Sequence, residues 1–108
     1  MTADRERGIY RVMQKPLSYN LVVLVTKQGP RYVAYSPALD ISTSGTTEKK
    51  ARERFGELAE VFFEELIESG SMADVLSELG WRRKDRQWQP PQEVSRKALA
   101  VRIPVLAL

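Results

Sequence analysis

The most constraining part of this chain is a 21-residue stretch, residues 31–51, with the sequence RYVAYSPALDISTSGTTEKKA. Its first six residues are β-prone, and a proline then ends the strand because proline cannot donate to a β-ladder. Residues 41–44 suit a second short strand, after which Gly45 offers the positive φ of a turn. Thr46 or Thr47 can then cap the N-terminus of a helix. The stretch therefore predicts strand, turn, short strand, turn and helix start, without an obvious catalytic motif.

The flanking segments complete an α+β domain. Residues 19–26 give the strongest strand signal, and residues 21–25 are continuously apolar, so we expect both faces of this strand to be covered. A hairpin turn at residues 27–30 joins it to the next strand, which predicts a three-stranded antiparallel meander. A long helix over about residues 48–68 should pack on the sheet, because apolar residues recur at three- and four-residue steps. These residues are Ala51, Phe55, Leu58, Ala59, Phe62, Phe63, Leu66 and Ile67.

The chain after the long helix is predicted to form short elements. Ser71 is expected to cap a short second helix, and Gly80 to end it in a left-handed conformation with Trp81 folded back on the preceding turn. Residues 81–88 suit a strand or one arm of a hairpin. The apolar segment at residues 98–108 contains a proline, so we expect it to form an edge strand.

This C-terminal strand carries the prediction of an oligomer. A free apolar edge promotes aggregation, and a second copy of the chain is the simplest cover for it. We therefore expect a homodimer or higher homo-oligomer with contacts at Leu99, Val101 and Ile103. The chain then divides into a flexible segment at residues 1–18 that could hold a short strand at residues 9–13, a domain at residues 19–90, and the C-terminal strand at residues 91–108.

Composition removes several classes of site. The 108 residues fit one domain and include no histidine and no cysteine. This excludes a Ser-His-Asp triad, a cysteine nucleophile, a thiolate metal site and a disulfide, and no cofactor or metal is predicted. The first 18 residues are charged, without the apolar core of a signal peptide, and the longest apolar runs are too short to span a bilayer. We therefore expect a cytoplasmic protein without membrane contact.

The net charge of +3 conceals three blocks. Residues 1–31 hold six basic and two acidic side chains, residues 32–80 hold four basic and ten acidic ones, and residues 81–108 hold seven basic and two acidic ones. An acidic middle thus lies between two basic ends. The ends could simply be solvated, or they could pair with the acidic middle of another chain or with nucleic acid.

Acidic residues in two places are candidates for chemistry. Asp40 and Glu48 flank the Gly45 turn, where a metal-binding or hydrolytic role competes with stabilisation of the turn and the helix start, which we favour. The long helix carries further glutamates that suit either a solvated face or a recognition surface. They are Glu57, Glu60, Glu64, Glu65 and Glu68. Basic residues cluster at the start of this helix and acidic residues at its end, so the charge gradient opposes the macrodipole. Either selection for a charged recognition surface or chance would explain this gradient.

Basic and aromatic residues alternate in WRRKDRQW, residues 81–88. Arg82, Arg83, Lys84 and Arg86 could follow phosphates while the tryptophans stack on bases. Alternatively, the tryptophans pack on the core and the cations face water. A third interpretation is a protein-binding surface, because Trp and Arg are enriched at binding hot spots.

Three segments of the chain together resemble the HicB-like antitoxin family. They are YVAYSPALD at residues 32–40, SGTTE at residues 44–48 followed by Ala51, and LGW at residues 79–81. The resemblance spans about residues 20–90 and consists of turns and apolar positions. It implies a partial ribonuclease H-like fold without nuclease activity. The predicted first strand agrees, because it has no acidic residue for a metal site of the ribonuclease H type.

HicB-like antitoxins bind and occlude a small ribonuclease toxin, HicA, and the resemblance implies the same partner class here. The contact surface would combine the second strand with the acidic helix end: Tyr32, Tyr35, Asp40, Glu57, Glu60 and Glu64. Many such antitoxins add a DNA-binding module, but residues 90–108 are too short and too strand-like for a helix-turn-helix. The alternatives are a stand-alone homo-oligomer that binds nucleic acid through residues 82–86, and a hydrolase on a degenerate nuclease fold.

Overall fold

The computed structural model describes residues 19–105, and it has an α+β architecture. The predicted flexible segment at residues 1–18, with its short strand at residues 9–13, lies outside the described residues. In chain order the elements are β1 (Leu24–Gln28), β2 (Arg31–Ser36), β3 (Ile41–Gly45), α1 (Glu48–Ser69), α2 (Met72–Glu78), β4 (Arg82–Lys84) and β5 (Gln87–Gln89).

The first three strands form the predicted antiparallel meander, in the order β1-β2-β3. Gln28 pairs with Arg31 across a two-residue turn, and Gly29 begins that turn with a φ of 61°. Side chains alternate between the two faces of a sheet. Ala34 and Ser36 of β2 are fully buried on the face covered by α1, and the residues between them face the other way.

β1 differs from its prediction in both extent and burial. It spans Leu24–Gln28 rather than residues 19–26, and Val22 and Leu24 remain 40% and 38% exposed. Val23 and Val25 are half-buried on the α1 side. The prediction that both faces are covered is therefore wrong: among the described residues, the sheet has a helix layer on one face and no layer on the other.

α1 begins at one of the two expected capping residues and ends in a defined C-terminal motif. The Thr47 side chain accepts a hydrogen bond from the Lys50 N–H at 3.0 Å, the usual N-cap arrangement. At the other end Gly70 has a φ of 70° and donates to the Ile67 carbonyl, while Ser71 donates to the Leu66 carbonyl, which together form a Schellman motif. The predicted apolar stripe is confirmed as the buried side, with Ala51, Phe55 and Leu66 most deeply enclosed.

Gly45 has a role other than the predicted one. It is not among the described residues with positive φ, and it lies buried as the last residue of β3. A Cβ atom at this position would lie 2.8 Å from the Ala51 nitrogen and 3.0 Å from the Lys50 carbonyl carbon. Glycine is therefore required here by the close approach of α1 to β3, and the prediction of a positive-φ turn was wrong.

α2 ends as predicted, with Gly80 in a left-handed conformation at φ 93° and the Trp81 N–H bonded to the Leu76 carbonyl at 2.9 Å. Ser71 is at the N-cap position, but its side chain makes no capping hydrogen bond and instead contacts the Ser69 hydroxyl at 2.6 Å. The helix therefore lacks the predicted side-chain cap.

Trp81 is only 3% exposed and joins three parts of the fold. Its indole N–H donates to the Ala38 carbonyl in the β2–β3 turn at 2.8 Å. Its ring packs edge-on against Phe63 of α1 and against Tyr19, with centroids 6.0 and 5.9 Å apart. After Trp81, β4 and β5 form a complete two-stranded hairpin within residues 82–89, where a single strand or one arm of a hairpin was predicted.

Residues 90–105 form neither a helix nor a strand. The prediction of a strand over residues 98–108 is therefore wrong for the single chain through residue 105, and the last three residues lie outside the described part. A β-strand requires a neighbour for its hydrogen bonds, and this segment pairs with no strand among residues 19–105. Its apolar side chains are strongly exposed, between 72% at Val101 and 92% at Val105.

Candidate partner-binding surfaces

The outer side of α1 carries a straight row of carboxylates. Positions three and four residues apart share one side of a helix, so the acidic residues at these steps align opposite the buried stripe. This acidic row consists of Glu53, Glu57, Glu60, Glu64 and Glu68, all of them exposed. At a rise of 1.5 Å per residue the row is about 22 Å long. Within the described part of the chain Glu57, Glu60 and Glu64 have no ion-pair or hydrogen-bond partner.

The basic residues at the start of α1 have partly local roles. Arg52 forms an ion pair with Glu48, and Arg54 donates to the Ser44 carbonyl at 3.4 Å. The last turn of the helix has no basic residue, and the acidic row continues to this end, where the macrodipole is negative. This arrangement opposes helix stability by a few tenths of a kcal/mol per group. The unfavourable charge gradient predicted from the sequence is therefore present.

Asp40 organises the turn between β2 and β3. It adopts a left-handed φ of 54°, donates its N–H to the Ser36 carbonyl at 2.8 Å, and accepts a hydrogen bond from the Tyr35 hydroxyl at 2.9 Å. That hydrogen bond, with smaller contributions from burial and from the carboxylate charge, raises the pKa of Tyr35 above its ordinary value. Asp40 and Glu48 thus each have a partner within the chain. The described residues contain no cluster of three or more acidic, histidine or cysteine side chains arranged for a metal ion.

The six residues proposed from the sequence as one contact surface lie in separate places. Tyr32 packs against the core, with the Lys27 amine 5.8 Å from its ring centre. Tyr35 lies on the face of the sheet away from α1, because it is three residues from Tyr32 on β2 and such residues point to opposite faces. Asp40, in the turn, accepts the hydrogen bond of the Tyr35 hydroxyl. Glu57, Glu60 and Glu64 lie on the outer side of α1, across the domain from that face.

The structure also reveals a surface that the sequence prediction missed. Val22, Leu24, Val33 and Tyr35 line the uncovered side of the sheet, which we call the open face. One sequence signal could have indicated this surface: Ser42 is a polar residue within β3, and a strand that is polar on one side has one face exposed to solvent.

The basic hairpin is formed by β4, β5 and the turn between them. Its four cationic side chains are exposed: Arg82, Arg83, Lys84 and Arg86. Asp85 and Arg86 both have positive φ, at 53° and 68°, as a type I′ turn requires. Trp81 is buried and Trp88 is half-buried against the core, which confirms the interpretation that the tryptophans pack inward while the cations face water. The tryptophans are therefore poorly placed to stack on bases.

Comparisons with protein-family models, curated proteins and solved structures found no match for this chain. Among the described residues, no helix has the length and apolar character required to cross a membrane.

Proposed function

We propose that this protein is a non-enzymatic, HicB-like binding protein whose acidic row holds a small basic ribonuclease toxin of the HicA class. Binding would cover the RNA-binding surface of the toxin in the cytoplasm and block RNA cleavage. The observation that carries the proposal is the row of aligned carboxylates on α1, three of which have no partner among residues 19–105.

The physical support is electrostatic. Carboxylates aligned along about 22 Å of a helix create a directional negative field, which attracts a cationic partner and sets its orientation. The C-terminal end of the row also opposes the helix macrodipole, which costs helix stability. The β-β-β-α order of the domain fits the scaffold that the resemblance implies, although the resemblance alone suggests the toxin as the partner.

The test is a binding and inhibition assay with the small basic protein encoded beside this gene. Charge reversal in E57K/E60K/E64K should weaken binding by up to about 100-fold, if each lost pair contributes up to about 1 kcal/mol. The matched control is E65K/D74K/E78K, which changes the net charge equally at exposed positions that are not members of the row. Restoration of RNA cleavage by the first variant alone would support the proposal. Equal weakening by both variants, or a partner that does not bind the wild-type chain, would refute it.

A second candidate function is nucleic-acid binding by the basic hairpin. Its four exposed cations have no ion-pair partner among the described residues. If all four cationic side chains contact phosphates of single-stranded RNA, a plot of the logarithm of the binding constant against the logarithm of the salt concentration should have a slope of about −3. Fluorescence anisotropy with a short labelled RNA measures this slope, and R82E/R83E should reduce it. Absence of binding at about 50 mM salt would eliminate this candidate.

A further inference from the structure

The C-terminal segment has the side-chain pattern of a strand but no neighbour. We call residues 92–105 the arm. Its large apolar residues occupy alternating positions, at Leu99, Val101, Ile103 and Val105, and are 72–92% exposed. Residues at alternating positions of an extended chain share one face, so the arm would present a continuous apolar face if extended. An apolar face of this kind requires a cover.

Pro104 determines which edge of the arm can pair. In a strand the N–H and C=O groups of one residue point to the same edge, and those of the next residue point to the opposite edge. Pro104 has no N–H, so the edge shared by residues 100, 102 and 104 is interrupted. The other edge retains the amides of Leu99, Val101 and Ile103. The arm can therefore add to a sheet through the same residues that form its apolar face.

Within residues 19–105, β1 offers the matching edge. Gln28 and Arg31 flank a two-residue hairpin turn, so their backbone groups bond to each other and those of Val25 and Lys27 point away from β2. No described strand pairs with that edge. The opposite edge, on β3, is partly closed because Arg54 donates to the Ser44 carbonyl there.

The core is also incomplete beside β1. None of its fully buried apolar residues comes from β1, and Val23 and Val25 are only half-buried on the α1 side. In an antiparallel pair, directly opposed residues have their side chains on the same face. The apolar face of an arm paired with β1 would therefore extend the core beneath α1.

We propose that the arm of one chain adds as an antiparallel strand to β1 of a second copy, and that the second arm does the same in return, giving a two-fold symmetric dimer. An extended 14-residue arm reaches about 45 Å, which is sufficient to cross to another molecule. Each sheet gains a fourth strand, and both a free edge and an exposed apolar face become covered. This inference is independent of the proposed toxin partner.

Paired proline substitutions in the full chain test the hydrogen-bonding edge. V101P removes an N–H from the pairing edge, whereas A100P removes one from the edge that Pro104 already interrupts. Loss of a ladder hydrogen bond should weaken the dimer about tenfold in V101P, while A100P should change its dissociation constant less than about threefold. Analytical ultracentrifugation measures both values, and circular dichroism checks that the domain remains folded. A monomeric wild-type chain, or equal effects of the two prolines, would overturn the proposal.

Cross-linking identifies the surface that the arm occupies. The chain has no cysteine, so a single introduced cysteine is unique. With a short bismaleimide, a mixture of K27C and V101C chains should give a cross-linked heterodimer in preference to a mixture of S42C and V101C. Preferential linking to S42C would place the arm at β3. Dominant linking between two V101C chains would indicate arm-to-arm pairing. Either outcome would overturn the assignment to β1.

Discussion

Two Gly→Ala substitutions should change stability in opposite directions. Gly45 ends β3 at the point where α1 approaches most closely, and a Cβ atom there would lie 2.8 Å from the Ala51 nitrogen. Gly56 lies within α1 on the exposed surface, and a Cβ atom there would meet no atom within 4 Å. The same methyl group is therefore added once against backbone and once into solvent.

The expected magnitudes follow from these distances. At Gly45 the nearest atoms belong to the backbone of the first turn of α1, so relief requires the helix to move away from the sheet. Such overpacking typically costs about 1–3 kcal/mol. At Gly56, alanine removes the penalty of glycine inside a helix and should stabilise the protein by about 0.5–1 kcal/mol. The two variants should therefore differ by about 1.5–4 kcal/mol.

Thermal and urea denaturation followed by circular dichroism provide the measurement. For a domain of this size 1 kcal/mol corresponds to about 4–8 °C in Tm, so G56A should unfold at least ~2 °C above wild type and G45A at least ~4 °C below. If G45A were as stable as wild type, α1 would not contact β3 closely at this point. If G56A were destabilised, the position would not be open helix surface.

Three further changes should have measurable effects. S36A should raise the free energy of unfolding by about 1 kcal/mol in urea denaturation, because the fully buried Ser36 hydroxyl has no hydrogen-bond partner among the described residues. W81F should lower it by about 2–4 kcal/mol through loss of the indole hydrogen bond and packing, whereas W88F should cost less than about 1 kcal/mol; equal losses would contradict the assigned burial. Because the pKa of Tyr35 is raised, its protonated hydroxyl contributes fully to the free energy of unfolding below the ordinary tyrosine pKa. This contribution is lost as the pH rises through the raised pKa. Phenolate absorbance should show a late-titrating tyrosine that disappears in Y35F and titrates earlier in D40N.

The parts of the fold that the sequence predicted well are those specified by local chemistry. The bounds of β2 follow from turn residues at both ends, and α1 begins at one of the two threonines expected to cap it. Gly80 and Trp81 were likewise recognisable because a helix C-terminus has its own backbone motif. Each of these features depends on neighbours within a few residues.

The parts that were predicted wrongly depend on distant contacts. The apolar run at residues 21–25 does not by itself show whether one or both faces are covered, because that depends on the number of layers in the fold. Gly45 is required by the approach of a helix that begins three residues later, which composition does not reveal. Tyr32 and Tyr35 both suit a binding surface by residue type, but the strand period places them on opposite faces.

The position of α1 links these observations to the two proposed interactions. Because Gly45 lets the helix approach β3 closely, its packing closes the core at β2 and β3 and leaves the β1 side only half-buried. The acidic row lies on the side of α1 directed away from the sheet, whereas the free edge of β1 lies at the margin of the sheet itself. A partner on the row and an arm on β1 would therefore occupy separate surfaces. V101P should consequently weaken the dimer without weakening toxin binding, and E57K/E60K/E64K should do the reverse. If either variant impaired both interactions equally, the two surfaces would not be independent, and the placement of the arm or of the toxin would be wrong.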